Sequence, residues 1–185
     1  MSIDIQLKRL QRIKDAASNK EAVNKVIARG VENLVKSHFA EVSSKEKNRF
    51  GAKSSFWRRM REQVKSYSDA AFAYVSMNRA IAQRYFGGTI KPTGTKRYLT
   101  IPLSKQSYGK SAAFFGPDLE VYTSHLGNKF LVMETKKRGK KVLEFLYLLK
   151  ERVTQRGNKS VLPTKQQFQT AMAEAFQKYI DAKTR

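Results

Sequence analysis

The chain has 185 residues, 41% of them hydrophobic, which is enough for one domain of ordinary size with a buried core. Lys and Arg number 37 against 15 Asp and Glu. The resulting charge of +22 attracts polyanions (nucleic acid, anionic lipid or an acidic protein surface) unless it serves solubility alone. There is no cysteine, which excludes disulfides, thiolate metal sites and thiol catalysis, and no apolar run approaches the ~18 residues of a membrane helix.

Residues 2–17 place Ile3, Leu7, Leu10 and Ile13 at helical spacing. The start MSIDIQLKRLQRIKD lacks the apolar core of a signal peptide, which points to the cytoplasm or a particle assembled there. Ser18 to Glu21 reads as a capping box opening a second helix. That helix carries Val23, Val26, Ile27, Val31, Leu34 and Val35 on one face and is predicted to end near Phe39 or Val42. A polar loop, SSKEKNRFGAKSS, follows. Ser54 or Ser55 then caps a third helix with Phe56, Trp57, Met60 and Val64 on one face and Arg58, Arg59, Arg61 and Lys65 on the other.

After Asp69 the texture becomes β-rich. FAYVSMN reads as a strand, RAIAQRYF as a helical turn or strand, and GGTIKPTGT as a turn, because glycine takes dihedrals that other residues resist. KRYLTIPL is a strand ending near Pro102, and LEVYTS and KFLVMET form a hairpin around HLGN. KKRGKK is a basic loop with glycine at its tip. VLEFLYLLKERV suits a helix or a strand, and the preceding turn favours a long strand. Beyond Pro163, Thr164 and Gln167 form a capping box for a last helix. Phe168, Met172, Ala175, Phe176, Tyr179 and Ile180 give it an apolar side, and Lys183 and Arg185 suit its C-terminal dipole. The order predicts an α+β fold: N-terminal helices, an antiparallel sheet with long hairpin loops, and a C-terminal helix. It is expected to form one domain over 1–185, with parts at 1–67, 70–162 and 163–185.

The stretch ending in Gly109-Lys110-Ser111 shares letters with a phosphate loop. The first glycine of that motif is replaced by Ser104, and Gly116-Pro117 stops the helix the motif must open. His38 and His125 stand alone, and Asp4, Asp15, Asp69, Asp118 and Asp181 are scattered without acid–base spacing. The expectation is a protein that is not an enzyme, with no cofactor and no metal. From Ala70 to Pro117 there is no Asp or Glu, while Arg79, Arg84, Lys91, Lys96, Arg97, Lys105 and Lys110 lie within it. A second cluster is Lys136, Lys137, Arg138, Lys140 and Lys141. Lys91, Lys96, Arg97, Lys105, Lys110 and this second cluster are the candidate contacts for DNA phosphates or an acidic protein partner. The cluster is expected to project as a loop with no interleaved acid.

Three stretches taken together, Gln83 to Pro92, Tyr98 to Pro102 and Tyr108 to Lys110, resemble a group of tailed-phage proteins. These are the virion morphogenesis or tail-completion proteins similar to the Mu G protein and its neck-protein relatives. Phe56-Trp57 and the helix segment LVKSHF extend the likeness, which spans about residues 30–150. The resemblance implies a structural, non-enzymatic subunit of a head-to-tail ring, a hexamer by preference, acting as tail completion, tail terminator or neck protein. It implies portal or adaptor, neck and tail tube proteins as partners, non-specific contact with genomic DNA, no membrane, and a place in the virion. The alternative from the residues alone is a basic nucleic-acid-binding module that is not an enzyme. Tyr67, Phe72, Tyr74, Tyr85 and Phe86 leave that open, since each can be core or stacking platform.

Overall fold

A computed structural model describes residues 3–46, 50, 55–137 and 139–184. Ser54, Arg138, Arg185, most of the polar loop and the side chains of Ile3, Asp4 and Lys137 lie outside the described residues. The fold is α+β, with helices leading, antiparallel strands following and a helix closing the chain. Two compact units divide it: Met1–Phe86 with Gly157–Arg185, and Gly87–Arg156. The predicted parts 1–67 and 163–185 belong to the first unit, and the stretch 70–162 is shared between the two.

In the first unit, α1 (Ile3–Ser18) and α2 (Lys20–Lys45) meet at Asn19, whose side chain accepts from the Ala22 amide at 3.1 Å. Asn19 is therefore the cap, and Ser18 turns back to donate to the Lys14 carbonyl. α2 outlasts the predicted end near Val42. Its Ala28, Val35 and Phe39 are buried. α3 (Phe56–Glu62) buries Trp57 and Met60 as its periodicity requires, while Ser55 precedes it without a side-chain cap bond. Trp57 packs 5.4 Å from Phe39, and its indole N–H donates to Glu46 at 2.7 Å. Val64, Ile81 and Val161 complete this core.

Lys65, placed on α3 by the sequence, instead begins β1 (Lys65–Ser68), which pairs with β2 (Ala73–Ser76). Two carboxylates favour the hairpin, one local and one remote in sequence. The Asp69 carboxylate accepts from the Ala71 and Phe72 amides at 2.7 and 2.8 Å, folding the turn. Glu32 of α2 accepts from the amide and hydroxyl of Ser66. RAIAQRYF resolves as α4 (Arg79–Phe86), with Asn78 capping the Ala80 amide. The final helix, α5 (Lys165–Thr184), starts with the reciprocal box of the sequence. The Thr164 amide donates to Gln167 at 2.8 Å and the Gln167 amide to Thr164 at 3.3 Å. Ala175 and Ile180 are buried, Phe168, Met172, Phe176 and Tyr179 half-buried, and α5 lies against α2 and α1.

The second unit opens and closes on one ribbon. β3 (Gly87–Ile90) pairs antiparallel with β8 (Val153–Arg156). The expected tight turn at Gly87-Gly88 is thus a strand, and the φ of 78° at Gly87 lets the chain leave α4 straight into it. The main sheet has the order β4 (Leu99–Pro102), β7 (Lys140–Lys150), β6 (Lys129–Lys137), β5 (Leu119–Thr123), all antiparallel. Val132, Leu146 and Tyr147 are its buried hydrophobics. The ambiguous VLEFLYLL segment is the long strand β7.

Candidate functional site

The basic cluster is built by a difference in strand length. β5 pairs only with residues 129–133 of β6, and β4 only with residues 147–150 of β7. Residues 134–137 and 140–143 therefore pair with each other and, among the described residues, with no third strand. At ~3.3 Å per residue, this two-stranded arm extends roughly 13 Å past the end of β5. Its ladder sets Lys136 opposite Lys141 and Lys137 opposite Lys140, and Gly139 at φ 77° makes the turn. The predicted loop is thus a hairpin end, and Lys136, Lys137, Lys140 and Lys141 sit on paired strands rather than in a long loop.

Strand alternation assigns Lys136 and Lys141 to one face and Lys140 to the other. Like charges directly opposite are unfavourable in a ladder. No acid is interleaved within the cluster, but one flanks it: Lys141 Nζ lies 2.9 Å from Glu134 Oε1. Seven residues separate the two in sequence, which hid the pair from a linear reading. The Glu134 carboxylate raises the Lys141 ammonium above the usual lysine range. Lys136, Lys140 and Lys141 are exposed. Val142 and Leu143, at the base of the arm, are also exposed.

Lys91, Lys96 and Arg97 are exposed on the connection between β3 and β4, and Lys105 is exposed in the turn after β4. Lys110 is exposed, with its ammonium 4.1 Å above the Phe114 ring centroid. The turn that resembled a phosphate loop is pinned onto β7. Buried Ser107 donates to the Leu146 carbonyl at 2.7 Å, and the Tyr147 hydroxyl donates to the Lys110 carbonyl at 3.0 Å. Burial raises the Tyr147 phenol above its usual range. After this turn comes a 3-10 segment, Ala112–Asp118, broken at Gly116, so no α-helix N-terminus faces it.

Sequence reasoning missed a second basic site, at the opposite end of β6 and β7. Lys129, Lys150 and Arg152 line a pocket of about 280 Å³ with Tyr98, Asn128 and Glu151. Lys129 donates to the Tyr98 hydroxyl at 2.8 Å and Lys150 to Asn128 at 3.3 Å. Only strand pairing brings these residues together.

The structure also answers the aromatic question in the first unit. Tyr67, Phe72, Tyr74 and Phe86 are 57, 60, 47 and 72% exposed, and Tyr67 stands directly opposite Tyr74 on the β1–β2 hairpin. Tyr85 is half-buried. His38 hydrogen-bonds through Nε2 to the Ser160 carbonyl at 3.0 Å. Among the described residues no three His, Asp or Glu side chains gather as a metal site, and no helix is long and apolar enough to cross a membrane. No family model matches the chain, and no curated protein and no solved structure matches it.

Proposed function

We propose that the protein is a structural, non-enzymatic subunit of a tailed-phage particle. In this reading it forms a ring at the head–tail interface or tail end, as a tail-completion, terminator or neck component, and a hexamer is the preferred closure. The observation that carries the proposal is the cationic β-arm. A short paired arm with lysines on both faces suits insertion between phosphates of a DNA channel or against an acidic ring, where a flat patch would engage one side only. The likeness of residues 83–92, 98–102 and 108–110 to tail-completion proteins supplies the setting.

The test replaces Lys136, Lys137, Arg138, Lys140 and Lys141 by Ser. If the arm meets DNA, each lost phosphate contact lowers the slope of log K against log salt by about 0.9, with no change in sequence preference. If it meets an acidic ring, free-protein DNA binding stays the same while head–tail joining in extracts fails. Wild-type behaviour in both assays rejects the role of the arm. Sedimentation showing only monomer, alone and in particles, rejects the ring.

A second reading, a single-strand nucleic-acid-binding module, is favoured by the exposed Tyr67–Tyr74 pair, since bases stack on such rings at ~1–3 kcal/mol each. It predicts single-strand binding that Tyr67→Ala with Tyr74→Ala abolishes, with no ring formed.

A further inference from the structure

We propose that the first unit carries a docking groove for an acidic, apolar peptide segment of a partner protein. The groove has a volume of about 720 Å³, and Tyr85, Leu162, Phe168 and Met172 line it, with Lys159 and Lys165 also among the lining residues. That volume is in the range that takes several side chains at once. The lining includes no Asp or Glu. The inference does not depend on ring formation or on what the arm meets.

One wall is held rigidly. A Cβ on Gly157 would lie 2.7 Å from the Phe86 carbonyl oxygen and 2.8 Å from that of Tyr85, so the chain passes α4 at a distance only glycine allows. The Asn158 amide donates to the Arg84 carbonyl at 2.9 Å, and the Asn158 side chain accepts from the Ser160 amide at 2.9 Å. His38 holds the next carbonyl from α2. A groove fixed this way needs little ordering when a ligand enters.

Lys159 is exposed, and its ammonium sits 4.0 Å from the Tyr85 ring centroid and 5.0 Å from that of Phe86. Lys165 is exposed at the start of α5. Two cations beside an apolar floor match a segment whose apolar side chains fill the groove while its carboxylates meet the lysines. A nucleic acid would satisfy the lysines alone. A second copy is a poor occupant. The exposed apolar residues of this chain's α1 include Ile5, Leu7 and Leu10, at 58, 58 and 61%, and Leu7 and Leu10 stand among Lys8, Arg9, Arg12 and Lys14. Those charges repel the lysines of the groove.

The experiment selects a yeast-displayed random peptide library on the full chain. Enriched peptides are expected to combine Asp or Glu with Leu, Phe or Trp. Synthesised, such a peptide should protect residues 159–172 from amide hydrogen exchange. Lys159→Glu with Lys165→Glu should weaken it by about tenfold or more, while the arm variant binds as wild type. Both lysines are exposed, and an unchanged Tm shows that the double variant is folded. Four results overturn the proposal: no enrichment, enriched peptides without acids, protection elsewhere, or equal binding to the double variant. Self-association that this variant abolishes would also overturn it, by making a second copy the occupant.

Discussion

Glu32 joins two elements through one carboxylate. It accepts from Lys36 one turn along α2 and from the amide and hydroxyl of Ser66 in β1. Those hydrogen bonds, from Lys36 first and then Ser66, hold its carboxyl below the ordinary value of 4.5. A folded-state value below the unfolded one gives stability that is present above about pH 4.5 and is lost as pH falls through the lowered value. Glu32→Gln should therefore cost about 1–3 kcal/mol at pH 7. The gap to wild type should narrow below about pH 4.5 in urea titrations at stepped pH. A gap that is constant with pH would assign the loss to packing instead of charge.

The crossing of α2 and α5 depends on a residue with no side chain. A Cβ on Gly30 would come within 2.6 Å of the Ala175 Cβ and 3.3 Å of the Ala171 carbonyl oxygen. Replacing a helical glycine by alanine ordinarily gains up to ~1 kcal/mol of helix propensity, whereas forcing a methyl into a closed contact costs ~1–3. The contact is close enough for the second effect to win. Gly30→Ala should lower Tm, and a raised Tm would show that the helices part freely. The arm makes the opposite case among elements. A two-stranded ribbon is marginal alone, so residues 134–137 and 140–143 should exchange their amides faster than residues 129–133, which have partners on both sides.

The second unit is an insertion in the first. Gly87 and Arg156, its two ends, are paired residues on neighbouring strands, so the chain enters and leaves at one point. Deleting 87–156 and joining Phe86 to Gly157 through a short glycine linker should leave the first unit folded. It keeps the cluster of Val35, Phe39, Trp57, Met60, Val64, Ile81 and Val161. Trp57, the chain's single tryptophan, is buried there, so its fluorescence reports this unit. A cooperative urea transition with a midpoint near that of the full chain is the expected result. A shallow, non-cooperative curve would show that the core depends on the insertion. The excised second unit, with Val132, Leu146 and Tyr147 as its buried hydrophobics, should be far less stable.

Local signals determined much of this protein. The spacing of apolar residues marked α1, α2, α3 and α5; α2, α3 and α5 bury part of that face, whereas α1 leaves Leu7 and Leu10 exposed. The Thr164–Gln167 box was legible since both partners lie within one turn, β5 and β6 were legible as a hairpin around HLGN, and the basic turn decided the otherwise ambiguous β7 segment. The sequence also located the basic cluster at residues 136–141. Tertiary structure decided the rest. β1 and β8 are short and polar, and their strand form depends on Glu32 and on β3, which are distant in sequence. The cluster became an arm because β4 and β5 stop short, and Glu134 reached Lys141 only across the ladder. The groove at Tyr85, Phe168 and Met172 joins α4 to α5 over more than eighty residues. Such sites are set by the pairing and packing of remote segments, whose energies no local pattern of residues encodes.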